Sequence, residues 1–408
     1  MAVDPAQVSP AETTARRPAV SAIKFIAWFG LVSALGDFVY EGARSVIGPF
    51  LALFGASAAT VGLVTGIGEA VALVFRLFTG PFSDRTGRPW PQTILGYALT
   101  MICVPLMALS GSLAGAAALY NGERFGKAVR SPSRDTMLAH ASSVVGVGRA
   151  FGLHEALDQS GAIVGPLVIA AIIAGGGSLK LSFALLAVPG AASLLVLARL
   201  RRAVPEPELY DPAASVSDAK KLRLETHLPR LFWLYSAFSA ATMLGFATWA
   251  VLAYHLVHRH VVSASMVPVL YAGAMAAAAI AALVFGRIYD RYGFRGLLLL
   301  PVLAAVVPVL SFSTAVAAVA VGAVVWGVAM GVHDSTMRAA VTDLVPRERR
   351  GAGYGVFTAV YGIAWLVGAA GIGWLYEQGI GVTELAVGIV QVVALVLLIP
   401  VLKEKAAA

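Results

Sequence analysis

The chain has 408 residues, 59% of them hydrophobic and 13% charged, with a mean hydropathy of +0.81. A soluble chain carries about 25% charged residues, so the composition excludes an ordinary soluble domain and points to lipid as the surrounding solvent. The net charge of +8 does not mark a nucleic-acid partner, because the excess lies in short loops, and the single Cys103 excludes an intramolecular disulfide or a cysteine-built metal site.

Apolar runs of about 20 residues cross a bilayer as helices. Residues 1–22 are polar, with no leader-like apolar run, and are expected to form a disordered cytoplasmic tail. Spans are then expected at 23–50, 57–80, 92–112, 115–139, 150–174, 180–199, 230–257, 264–287, 296–315, 318–340, 351–376 and 381–402. The stretch 200–229, rich in Pro, Asp, Lys and Arg, separates a first bundle (23–199) from a second (230–402), and 403–408 is a short tail. The expected fold is an all-α membrane protein with twelve transmembrane helices in two pseudo-symmetric six-helix bundles.

Lys and Arg orient the spans. Arg85, Arg88, Arg149, Arg201, Arg202, Arg291, Arg295 and Arg349 fall on one side, whereas the other holds Lys180 and Arg259. Both termini and the central segment are therefore expected in the cytoplasm, with the chain multi-pass in the inner (plasma) membrane.

The halves repeat. Gly80–Arg88 reads GPFSDRTGR after the second span, and Gly286–Arg295 reads GRIYDRYGFR after the eighth. RAFGLHEALDQSGAIVGP (Arg149–Pro166) is echoed by GAGYGVFTAVYGIAWLVGA (Gly351–Ala369). Parallel repeats place a binding cavity between the halves.

The repeated loop G-x-x-x-D-R-x-G-R resembles motif A of the major facilitator superfamily. In the resemblance Gly80, Asp84, Arg85, Gly87 and Arg88, with Gly286, Asp290 and Arg291 in the second copy, form the gating motif. Glycine permits close helix approach, the carboxylate suits a neighbouring helix N-terminus, and the arginines anchor at an anionic inner surface. Gly161, Gly165 and Pro166 resemble the antiporter motif C of drug exporters without its terminal glycine pair, which favours export; plain small-residue packing accounts for the same spacing. Asp37 with Glu41, GKAVRSPSRD (Gly126–Asp135) and GRAFGLH (Gly148–His154) resemble a bacterial branch of the superfamily across nearly the whole first half. The resemblance implies secondary transport by alternating access and gives no cargo.

Charges inside a membrane are costly and mark function. Asp37, Glu41 and Arg44 share one face of the first helix, and Lys127, Arg130 and Arg134 share a face of the fourth, with Glu123 close by. Asp37 is the expected proton site, Glu41 its partner, and Lys127 with Arg124 the switch. Glu69, Arg130, His154 and Asp158 are secondary candidates, His154 and Asp158 as a pair that either titrates or forms a fixed hydrogen bond. A static salt-bridge network explains part of the same set. Arg44, Trp249, His255, Trp326 and Tyr361 are expected to line the substrate cavity.

The leading expectation is a proton-coupled antiporter exporting a small organic or amphipathic solute, acting as a monomer with protons and lipid as its other partners, and with no cofactor or bound metal. A metal-ion exporter of ferroportin type, using Asp37 and His255, is the alternative within transport. A membrane-embedded enzyme is a different class; the chain carries neither H-E-x-x-H nor G-x-S-x-G, and no enzyme activity is expected. A non-transporting sensor would need a soluble domain larger than the central segment.

Overall fold

A computed structural model describes residues 20–211, 228–346 and 349–407, and every regular element among them is helical. The tail at 1–19, the part of the central segment at 212–227, and Arg347 lie outside the described residues.

Each expected span has a helix in its place. The first half contains α1 (Ala22–Ala52), α2 (Ala58–Val74 and Arg76–Thr86), α3 (Pro89–Leu106), α4 (Leu113–Val145), α5 (Val147–Ala174) and α6 (Leu179–Leu185 and Ala187–Ala203). The second contains α7 (Arg230–Leu244 and Trp249–His258), α8 (Met266–Tyr292), α9 (Leu299–Ser311), α10 (Val316–Leu344), α11 (Arg350–Gln378) and α12 (Ile380–Ala407). Ten stretches are long and apolar enough to cross a membrane on length and composition; one of them, Met266–Ser311, holds both α8 and α9, and α4 is missing from the ten. The charges of α4 explain its absence: Glu123, Arg124 and Arg130 are buried against neighbouring helices, not turned to lipid. With 33 residues, α4 is about 50 Å long and exceeds a hydrocarbon core of about 30 Å.

Three spans expected as single runs are interrupted. α2 breaks at Phe75. α6 breaks at Leu186, just before Pro189, which has no N–H to offer the preceding turn. α7 opens over 245–248, where the Trp326 indole N–H donates to the Ala247 carbonyl at 2.8 Å. An opened backbone at membrane depth needs such a partner.

The repeat is visible in the backbone. Gly87 ends α2 with φ +56° and Gly293 ends α8 with φ +57°, a region glycine enters without steric cost. Six spans separate these glycines, so both lie at one end of the molecule, here the motif end. Close packing repeats as well. A side chain at Gly161 or Gly165 of α5 would run into the α1 backbone at Ala34 or Phe38, and one at Gly368 of α11 would run into the α7 backbone at Leu244.

Glycines also join the halves at the far end, which carries the α1–α2 turn. Gly48 of α1 sits on the α7 backbone at Ala250. Gly62 of α2 sits on Ala369 of α11, and Gly373 of α11 on Ala58 of α2. Toward the motif end, Gly362 and Gly355 mainly meet the side chains of Leu73 and Leu77. Among the described residues, the closest backbone-to-backbone approaches between the halves thus lie toward the far end.

Candidate functional site

The polar face of α1 is buried. Ser33, Asp37, Glu41 and Ser45 are each under 10% exposed and follow one another at helical spacing, so α1 presents a continuous polar stripe to α2, α4, α5 and the second half. Against it the structure gathers three groups of side chains.

The first is an ion network. The Arg44 guanidinium reaches Glu41 at 3.4 Å and Glu69 at 3.2 Å. Arg124 reaches the same Glu69 oxygen at 3.1 Å and its neighbour Glu123 at 2.5 Å. Three carboxylates therefore share two guanidiniums. Tyr120 and Tyr40 add ring faces to Arg124 at 5.5 and 5.1 Å. The network crosses to the second half, where the Tyr271 hydroxyl of α8 donates to Glu41.

The second group lies one turn nearer the motif end. The carboxyl groups of Asp37 on α1 and Asp158 on α5 are electrostatic neighbours, and Lys127 and Arg130 are cations that act on both. The Lys127 ammonium lies 3.2 Å from the Tyr40 hydroxyl and 4.4 Å from its ring centre. Arg130 bonds Thr100 of α3 and stacks on Tyr97 at 4.8 Å. The third group is a neutral chain: the Ser33 hydroxyl lies 3.0 Å from both the Tyr97 hydroxyl and His154 Nε2.

The expected coupling set therefore divides. Glu41 and Arg124 belong to the ion network, whereas Asp37 and Lys127 belong to the second group. The acid that acts most strongly on Asp37 is Asp158 of α5, whereas Glu41 is held by Arg44 and Tyr271. Glu69 links the two arginines. His154 and Asp158 are one turn apart on α5, but among the described residues no hydrogen bond joins them; the imidazole lies on Ser33. Tyr40, Tyr97, Tyr271 and Thr100 were invisible to a charge-based reading, although each is a buried polar side chain against a buried cation or acid.

Among the expected cavity residues, Arg44, Trp249 and Trp326 come together. Trp249 lies 4.9 Å from Tyr271 and 5.4 Å from Trp326 between ring centres, and its N–H donates to the Ser45 carbonyl at 3.0 Å. Arg44 stands 5.9 Å from the Trp365 ring, and Tyr361 lies 5.9 Å beyond Trp365. His255 stands apart from this group: its Nδ1 lies 2.8 Å from the Tyr376 hydroxyl, and Phe312 packs on its ring. Among the described residues, His255 lies against Tyr376 and Phe312 and Asp37 beside Asp158, Lys127 and Arg130, so the two ligands of the metal-export alternative are not brought together. Among the described residues no three His, Cys, Asp or Glu side chains form a metal-holding group.

The gating motif is only partly described, since the Asp84 side chain lies outside the described residues. Arg85, Arg88, Asp290 and Arg291 are exposed. The close approach expected at Gly80 is absent: a side chain there would meet only Pro132, at 4.0 Å, and one at Gly286 would meet nothing. α2 is instead held to α4 by side chains, with Thr79 donating to the Ala128 carbonyl and Ser83 lying 3.0 Å from Ser133. The small-residue stripe Gly161, Gly165 and Pro166 packs α5 on α1 directly behind Asp37.

A family model described as the Major Facilitator Superfamily matches residues 30–261 and 234–408. An uncharacterized protein of Mycobacterium bovis is 48% identical over 385 residues, covering 94% of each chain. Among solved structures, the nucleoside transporter NupG aligns with a TM-score of 0.74 at 12% identity, covering 92% of this chain and 99% of that one. A bacterial homologue of the human lysosomal transporter Spinster, inward-facing and occupied, aligns with a TM-score of 0.70 at 16% identity, covering 93% and 96%. At these identities the two structures share the fold with this chain.

Proposed function

Because this chain belongs to the major facilitator superfamily, whose members carry solutes across membranes by alternating access, we propose that it is a proton-coupled antiporter exporting a small organic or amphipathic solute. It works as a monomer in the inner (plasma) membrane, with bundles at 23–199 and 230–402 and with both termini and the 200–229 segment cytoplasmic. The far end then faces outward, and the glycine-sealed conformation is the inward-facing one.

The observation that carries the coupling is the juxtaposition of two carboxyl groups, Asp37, buried on α1, and Asp158, half-buried on α5. Two neighbouring carboxyls can hold one proton between them. Gly161 and Gly165 press α5 onto α1, so the pair stays together as the halves rock. Lys127 is the mobile partner: its ammonium rests on Tyr40 and can neutralise the pair once the proton leaves.

The ion network supplies the link to conformation. In the sealed state Tyr271 of the second half donates to Glu41. Opening the far end withdraws that donor. Glu41 then draws Lys127 outward, and Asp37 takes a proton from outside. Resealing returns Tyr271 to Glu41 and Lys127 to Asp37, and the proton leaves toward the cytoplasm. Asp84 and Asp290 of the gating motif lock the motif end while the far end is open.

The test uses purified protein in liposomes with an acidic interior and an internal pH dye. Adding a transported solute outside should collapse the pH gradient in wild-type vesicles and not in Asp37→Asn vesicles. Solute entry with no proton movement in the wild type would refute the coupling.

A further inference from the structure

Four histidines can be compared by how their rings are held. His154 is fixed by Ser33 and His255 by Tyr376. His258 stacks on Tyr254 at 4.9 Å beside the far-end loop. His333 on α10 differs from all of these. It is 3% exposed, yet neither ring nitrogen has a hydrogen-bond partner among the described residues. Leaving a buried polar group unpaired is unfavourable, and imidazole has two such atoms, one donor and one acceptor when neutral.

The surroundings of His333 are aromatic. Phe246 lies 5.4 Å away and Tyr361 5.7 Å, on opposite helices. Each belongs to a stacked pair: Phe246 with Trp326 at 5.8 Å and 22°, and Tyr361 with Phe357 at 6.0 Å and 26°. The imidazole thus sits between two flat walls. One wall stands on the opened stretch of α7, because Phe246 is the residue after Gly245. Interrupted helices at mid-depth are where carriers of this kind of architecture place ligands. Tyr361 is only partly buried, so the wall it forms beside His333 is the more accessible of the two.

We propose that His333 is the polar anchor of a substrate pocket in the second bundle, walled by Phe246, Trp326, Phe357 and Tyr361, for the uncharged planar heteroaromatic part of a solute that carries a hydrogen-bonding edge. The assignment deepens the carrier function above and rests on it for the word substrate. The walls select flatness, since a flat ring admitted beside them gains offset or edge-on aromatic contacts. They disfavour a charge, because the neighbours Phe246 and Tyr361 offer rings and no counter-ion. An edge that offers an acceptor to the imidazole N–H, or a donor to its bare nitrogen, removes the penalty of the unpaired atom.

The experiment measures binding of 2-quinolinone, a flat lactam with N–H and C=O on one edge, and of naphthalene, which has the same outline without that edge. Full-length purified protein is titrated with each, following tryptophan quenching. 2-Quinolinone should saturate, and its Kd should rise about tenfold in His333→Phe, the loss of about one net hydrogen bond. Naphthalene should bind wild type and His333→Phe alike. His333→Gln, which restores a donor and an acceptor, should recover most of the 2-quinolinone affinity. Tyr361→Ala should weaken both probes, and together with His333→Gln it decides the matter if His333→Phe does not fold. Absence of saturable 2-quinolinone binding to the wild type, or an unchanged Kd in His333→Phe, overturns the pocket. Binding is read without a proton gradient, so either result leaves the coupling role of Asp37 and Asp158 to its own test.

Discussion

Replacing Asp37 by Asn probes the proton site with little change of shape. The Asn amide can donate to Asp158 where a shared proton would sit, so the variant imitates the protonated pair. Two ionised carboxylates about 4 Å apart repel by about 4 kcal/mol at an effective dielectric near 20, and the substitution removes that repulsion. The variant should therefore fold, with a melting temperature equal to or above that of wild type. Its transport should lose drive and keep exchange. One coupled proton converts each pH unit into about 1.4 kcal/mol, a tenfold solute gradient. In vesicles with a gradient of one pH unit, the wild type should accumulate a solute about tenfold, and Asp37→Asn should stop at equal concentrations on both sides. Counterflow of labelled against unlabelled solute should persist in both. The solute is any compound that raises the melting temperature of the purified protein. Undiminished uphill accumulation by Asp37→Asn at matched protein content would refute the assignment.

Other substitutions test the surrounding geometry. Gly62→Val places a side chain against the Ala369 backbone and should prevent the far end from sealing; spin labels on the α1–α2 and α7–α8 turns should move apart, and an unchanged distance distribution would count against the seal. Tyr271→Phe removes the donor to Glu41 and should shift the same populations by about 1 kcal/mol toward the far-end-open state, read by the same labels. Arg124→Gln leaves Glu69 and Glu123 short of their shared cation and should destabilise the protein by about 3–5 kcal/mol, seen as a lower melting temperature in detergent. Trp326→Phe leaves the Ala247 carbonyl without its indole donor and should cost about 1–3 kcal/mol, with faster amide exchange around 245–248.

The spans were legible because lipid forces long apolar runs, and the half-chain repeat of G-x-x-x-D-R-x-G-R showed the two-bundle plan before any coordinates. Even α4, which fails a plain apolarity criterion, could be placed, since its charges share faces and stay inside. The breaks were harder to read. Pro189 marks the interruption of α6, but no proline stands in the opened stretch of α7; that opening depends on Trp326, 79 positions away.

At the site, residue types were readable and partnerships were not. Helical spacing put Asp37, Glu41 and Arg44 on one face; Glu41 and Arg44 enter the ion network, and Asp37 stands one turn away beside Lys127. Whether Asp37 meets Glu41 or Asp158 depends on how closely α5 approaches α1, which Gly161 and Gly165 decide. The tyrosines escaped notice because a hydroxyl becomes informative only when its burial beside a charge is known. His255 was placed in the cavity on chemistry alone, and the local packing of Tyr376 and Phe312 holds it elsewhere.

The central claim is that Asp37 and Asp158 together bind one proton that the transport cycle moves. Infrared difference spectra of the purified full chain, between acidic and alkaline buffer, report protonated buried carboxyls directly through their C=O stretch. The account predicts one such band that disappears in Asp37→Asn, disappears or shifts in Asp158→Asn, and survives in Glu123→Gln. A band that persists unchanged in both Asp variants, or is lost only in Glu123→Gln, would contradict it.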